Sequence, residues 1–230
     1  DEADVAGARA HWAAQRAATV LPRAWASLYQ CSPTAGEGAL VPASLLAERR
    51  VPFGFVLPRP VQRAVAVDPS GGGKDEAGIV AGFAGTDHRL YLTHDWSGRM
   101  SSDEWARKAC LLAFETGADM IVVEKNYGGD MPRRMINLAW RSLVQEGRVH
   151  GRHAPHVVEV TARLGKHIRA EPMAQMFVED LARLVRPLPE LELEWSTWSP
   201  SMTGVSPGRL DASVYLGLKL VPYISPEPGR

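Results

Sequence analysis

Two apolar runs in this sequence end on an acid and pass at once into glycine: "RAVAVD" closes on Asp68 before "PSGGG", and "MIVVE" closes on Glu124 before "KNYGG". A charge at the edge of a core is costly unless something compensates it. A third acid, Asp211, stands in "PGRLDAS" at the start of a segment whose Leu210, Val214 and Leu218 repeat at helical spacing, and a helix N-terminus favours its negative charge. Oxygen-only donors of this kind suit hard cations, Mg2+ or Mn2+, rather than zinc. Two such ions about 3.5–4 Å apart activate a water and stabilise the leaving oxygen of a phosphodiester. Each acid alone also has a plainer use: Asp68 bonding the amides of Gly71–Gly73, Glu124 pairing with Lys125 or Arg133, Asp211 serving as a helix-start carboxylate.

The elements around these acids decide whether they meet. Period-two patterning predicts strands over 63–67, 78–84 and 89–95, with a turn at Gly85-Thr86-Asp87, and short links make these an antiparallel meander. Ser101 and Glu104 form a capping box for a helix to Thr116 that Gly117 ends. A strand follows at 120–123, then a helix with Pro132 in its first turn running to Gly147, then a strand at 156–160. Further helices are expected near 171–184 and 208–220. The order is βββαβαβ, and strands joined through helices are parallel with right-handed crossovers. If 63–67 and 120–123 are parallel neighbours, Asp68 and Glu124 emerge at one C-terminal edge, where open α/β sheets place their ligands. Like charges there repel, so a positive group must stand between them.

With 230 residues, 45% of them hydrophobic, the chain can bury one sizeable core. An alanine-rich helix is expected over 4–20, stopped near Pro22, followed by a Pro- and Gly-rich connector. The division is 1–60, helix and connector, and 61–230, the main domain. The acidic start without Met reads as an excised fragment or processed chain, no apolar run is long enough for a bilayer, and Cys31 and Cys110 show neither metal spacing nor a disulfide framework. Lys plus Arg and Asp plus Glu both number 26, which argues against coating nucleic acid through bulk charge and leaves a local groove open. Between Arg133 and Arg169 the balance is uneven: Arg133, Arg134, Arg141, Arg148, Arg152, Arg163, Lys166 and Arg169 face only Glu146 and Glu159. That run is either a solvated surface or a polyanion-facing edge.

At these residues the sequence resembles the ribonuclease H-like superfamily, and within it the nuclease domain of the large terminase subunit of tailed bacteriophages. The matching pieces are "AVDPSGGGKDEAGIVAGF", "IVVEKNYGGDM", "GKHIRAEPMAQMF" and "SPGRLDASVYLGLKL", with "WASLYQCSPTAGEGALV" similar to the segment that joins that family's ATPase to its nuclease. The resemblance implies an α/β fold with a mixed sheet, three antiparallel strands and then parallel ones, flanked by helices. It implies Asp68, Glu124 and Asp211 as catalytic metal ligands for two Mg2+ or Mn2+ ions in an endonuclease that cuts concatemeric double-stranded DNA. It further implies an ATPase domain in the same polypeptide, portal protein and small terminase subunit as partners, no membrane, and the cytoplasm of an infected bacterial host. Relatives often carry an acid just before the Arg-Leu-Asp, where this chain has Gly208; Asp75 or Glu76 are the substitutes at hand. A Holliday-junction resolvase or transposase-like nuclease, and a DNA- or portal-docking module without catalysis, are the competing readings.

Lys166 and Arg169 follow a strand at the acid edge and, on the resemblance, contact phosphates; the plainer reading is surface solubility. Asn126 shapes the turn beyond Glu124 or touches DNA. Trp195 and Trp198 read as core or lid packing rather than base stacking. Lys74 after three glycines does not complete a phosphate loop, because Asp75 follows it and the glycine spacing is wrong. The purified chain is therefore expected to release no phosphate from ATP, with or without DNA; turnover in a coupled assay, abolished by Lys74→Ala, would overturn this.

Overall fold

The computed structural model describes residues 40–70, 76–125, 130–161, 166–199 and 207–220, with Gly7 and Pro222, and for 166–168 the backbone alone. The expected helix at 4–20, Cys31, Asp75 and Asn126 lie outside the described residues. The strands are β1 (Pro60–Asp68), β2 (Gly78–Gly85), β3 (Leu90–Asp95), β4 (Met120–Glu124), β5 (His156–Val160) and β6 (Ala182–Leu184). The helices are α1 (Ala43–Glu48), α2 (Ser102–Thr116), α3 (Met131–Gln145), α4 (Lys166–Val178), α5 (Pro189–Thr197) and α6 (Gly208–Leu220).

The strands form one six-stranded sheet in the order β5-β4-β1-β2-β3-β6. The β1–β2 and β2–β3 pairs are antiparallel, as short links require, and β1–β4, β4–β5 and β3–β6 are parallel. Alternation along the pleat divides the interior in two. Val65, Val67, Ile121 and Val123 face α2 and α3, burying Trp105, Leu112, Ile136 and Leu143. Ala64, Ala66, Met120 and Val122 face the other way, beneath Phe177, Trp195, Leu210 and Leu216 of α4, α5 and α6. The sheet is thus sandwiched between helical layers, the expected mixed α/β architecture.

Local chemistry sets the boundaries around the acids. Ser101 accepts from the Glu104 amide while Glu104 accepts from the Ser101 amide, and Gly117 ends α2 at φ 69°. The segment 171–184 departs from expectation: it is not one helix. α4 runs from Lys166 to Val178 with Pro172 in its interior, because Ala170, Met173, Ala174 and Phe177 gain burial that outweighs the lost backbone bond. The chain then turns at Asp180, a non-glycine residue at φ 58°, whose carboxylate accepts from Arg183 and whose carbonyl accepts from Arg89. That turn frees 182–184 to pair with β3.

Packing of α6 on the sheet depends on missing side chains. A Cβ at Gly78 would come within 1.8 Å of the Gly208 carbonyl oxygen, and one at Gly208 within 2.8 Å of the Glu76 carbonyl oxygen. Backbone meets backbone there, so any side chain must displace the helix or the strand. The position before Arg209 accordingly has no room for an acid. Gly78→Ala is expected to lower the stability of the fold by about 1–3 kcal/mol or more, read as a shift in denaturant midpoint; an unchanged midpoint would refute the backbone contact.

Candidate functional site

Register brings the first two acids together. Val67 pairs with Val123 in the parallel β1–β4 ladder, so Asp68 and Glu124 occupy the next position on neighbouring strands, which lie about 4.8 Å apart. Both share the face of Ala66 and Val122, the face that α6 covers. Asp211 is the fourth residue of α6, its amide donating to the Pro207 carbonyl at 2.9 Å. Relative exposures of 8% for Asp68, 8% for Glu124 and 2% for Asp211 leave all three nearly closed to solvent.

Tyr215, four residues after Asp211 and one helical turn along the same face, reports on their common field. Its phenol is held well above the usual range, first by burial and then by the negative charges of Glu124, Asp211 and Asp68, while Arg169 pulls the other way. Arg169, expected on the resemblance to contact phosphates, stands beside Asp211 and Tyr215. Its guanidinium donates to the Tyr215 hydroxyl, lies 5.3 Å from the centre of the Tyr215 ring and stands 3.6 Å from an Asp211 oxygen. With 10% of its side chain exposed it is an enclosed counter-ion. Lys166 begins α4 one turn earlier.

The partners considered for Glu124 are engaged elsewhere: Lys125 meets Asp130 at 3.2 Å and Arg133 meets Glu159 at 3.2 Å. Glu76, a candidate extra ligand, is taken by Arg209. Arg209 was not singled out in the sequence, yet it is the hub of this end of the fold. Its guanidinium reaches Glu76, Asp95 at 3.1 Å, Glu190 at 2.6 Å and Glu194 at 3.3 Å. Glu194 also accepts from the Leu210 amide at 2.9 Å, satisfying one free donor of the α6 N-terminus. Burial pushes the Glu194 carboxyl up despite both bonds. On the next turn Ser213 accepts from the Trp195 indole at 3.0 Å, so Trp195 and the 6%-exposed Trp198 are core residues.

The donor chemistry fits a hard divalent cation. Asp68, Glu124 and Asp211 are all buried and all act on a single phenol, and among the described residues the Ser70 hydroxyl, two residues past Asp68, is buried with no hydrogen-bond partner. Among the described residues, however, no three His, Cys, Asp or Glu side chains are gathered as a metal site. No helix among the described residues is long and apolar enough to cross a membrane.

No protein-family model matches the sequence, and no curated protein matches it either. Solved structures do share its fold. The nuclease domain of the large terminase subunit of bacterial virus Sf6 superposes with TM-score 0.57 at 15% identity, covering 76% of this chain and 96% of that one. The P22 large terminase nuclease domain gives 0.56 at 14% identity, covering 82% and 94%. A variant of the Sf6 domain with manganese gives 0.55 at 14% identity, covering 76% and 97%. The chain shares the fold of these terminase nuclease domains, here a mixed six-stranded sheet between helical layers.

The Arg209 hub makes a measurable demand. Removing the guanidinium would leave the largely enclosed Asp95 side chain and the half-buried Glu194 without their cation, a loss of up to about 3–5 kcal/mol. Arg209→Met is expected to show this in denaturant titration, and Arg209→Lys to recover only part of it, since one ammonium cannot span four carboxylates. Equal stability of Arg209→Met and the parent would remove Arg209 from this role.

Proposed function

We propose that this chain is the nuclease domain of a large terminase subunit: a divalent-metal-dependent endonuclease acting on concatemeric double-stranded DNA during packaging. The observation that supports the reading is that Asp68 and Glu124 follow the last paired residues of neighbouring parallel strands and that both, with Asp211, act on the one Tyr215 phenol. The shared fold supports it, and the manganese-bound Sf6 variant supports the choice of metal. On this reading residues 1–60 link to an ATPase domain of the same polypeptide and 61–230 cut. The portal protein and small terminase subunit are the partners, in the cytoplasm of an infected bacterium.

Asp68, Glu124 and Asp211 hold Mg2+ or Mn2+. Bound there, the metal supplies an acidified water to attack the phosphodiester and positive charge to receive its leaving oxygen. The protein's own groups set the stage. Arg169 offsets the acids' mutual repulsion and orients Asp211, and Tyr215 keeps its proton because burial and three neighbouring charges disfavour phenolate. The Gly78–Gly208 contact and the Arg209 hub fix the start of α6 and thereby the reach of Asp211. Asn126 and Lys166 are assigned to the DNA side of this edge.

The decisive experiment is nicking of supercoiled plasmid in Mg2+ or Mn2+, with EDTA as blank. Asp68→Asn and Asp211→Asn are expected to abolish cleavage, and in Asp68→Asn the metal-free fold should keep or slightly gain stability, because a repelling charge has gone while the Arg169–Asp211 pair stays. Metal bound only to the folded parent stabilises it by about 2.7 kcal/mol at a hundredfold excess over Kd, and that increment should shrink in both variants. No cleavage by the parent in either metal, or parental cleavage by Asp68→Asn, would sink the assignment.

A further inference from the structure

α3 leaves the acid edge and runs back across the sheet, packing Pro132, Ile136, Ala139, Trp140 and Leu143 inward. Its opposite side is exposed and carries Arg134 and Arg141. Seven residues is nearly two full turns, so these arginines stand in line about 10.5 Å apart. Arg148 lies just past the helix end, beyond the left-handed turn at Gly147, and is also exposed.

Neighbouring charges show that this row is surplus rather than part of an ordinary mixed surface. Between residues 119 and 159 the acids outside the buried edge are Asp119, Asp130, Glu146 and Glu159. Each already has a cation: Arg152 at 3.2 Å, Lys125 at 3.2 Å, Arg107 at 2.6 Å and Arg133 at 3.2 Å. Glu146 is the acid nearest the row in sequence, and its carboxyl is pulled down to about 2, foremost by its bonds from Arg107 and then Ser142; Arg148 acts on it only at longer range. Among the described residues Arg134, Arg141 and Arg148 make no ion pair. Exposed guanidiniums without a carboxylate, in a chain of zero net charge, are a local basic track.

We propose that the exposed face of α3, through Arg134, Arg141 and Arg148, is a second contact for duplex DNA that holds its phosphate backbone outside the cleavage edge. The track begins one helical turn into α3, close in sequence to Glu124, and its two helical arginines lead about 10.5 Å along the helix. Contacts of this kind position without reading sequence. The surface rests on the nuclease reading for its substrate, but its test does not need cleavage.

Binding of a fluorescein-labelled 30-base-pair duplex is followed by anisotropy in EDTA at 50–200 mM NaCl. Each phosphate neutralised contributes about 0.9 to the slope of log affinity against log salt. Arg134→Ala, Arg141→Ala and Arg148→Ala combined should therefore flatten the slope by roughly two to three, equally for unrelated sequences and without changing Tm. Arg141→Ala alone should flatten it by about 0.9, and the three lysine substitutions should restore the parental slope. Met131→Ser with Leu138→Ser, which removes exposed apolar groups from the same helix, should leave the slope alone. A parental slope in the triple alanine variant overturns the track, as does a loss caused by the serine pair instead, which would mark a protein-binding face. A flattened slope in the triple variant of a parent that never cuts would support the track and defeat the nuclease reading; a parent that cuts while the triple variant keeps its slope does the reverse.

Discussion

The contact between Gly78 at the start of β2 and Gly208 at the start of α6 is the constraint on which the site depends. Two backbones touch where a methyl group would already collide, so the helix carrying Asp211 has one possible seat on the sheet. Gly82 repeats the device further along, where a Cβ would meet the Tyr91 carbonyl oxygen at 2.5 Å and Leu216 at 3.0 Å. Once α6 is seated, Leu210, Ala212, Val214 and Leu216 close the core beneath it. Glu194 and Arg209 then satisfy and charge-balance its first turn.

Much of this end of the molecule was legible in the residues. Asp68 and Glu124 announced themselves because a buried strand seldom ends on an acid without use for it, and the pairing of Val67 with Val123 confirms the predicted neighbours. The capping box at Ser101 and the stop at Gly117 are local signals, and they hold. The break inside 171–184 is not legible, because nothing local marks Asp180 as a left-handed turn; Arg89 and Arg183, one of them distant in sequence, hold it there. The Arg209 hub was illegible for the same reason. Its four carboxylates come from the approach to β2, the end of β3 and two places on α5. Tyr215 did have a signal, the four-residue spacing from Asp211, which becomes informative only once Asp211 is singled out.

Zero net charge conceals an uneven distribution. On the α5–α6 side of the sheet four carboxylates share the single cation Arg209, a local surplus of three negative charges. Along α3 and its neighbours from 119 to 159 the acids outside the sheet edge are matched and arginines are left over. The buried carboxylates lie at the sheet end between these layers, so a polyanion approaching that end meets attraction from one flank and repulsion from the other, which favours one orientation of approach.

Residues 40–51 give the fold a mechanical property. Leu40, Val41 and Leu46 are buried in the core beneath α4 and α5. A few residues on, Arg50 bridges to Leu184 in parallel, the Val51 amide donates to the Leu184 carbonyl at 2.9 Å, and Arg50 meets Glu192 at 2.5 Å. Tension in the preceding chain is therefore borne first by three interlocked side chains, and only after they yield by the hydrogen bonds at the β6 edge. That edge is separated from β1 by β2 and β3. The domain can thus be pulled by its leading segment while the carboxylates at the far ends of β1 and β4 stay in register.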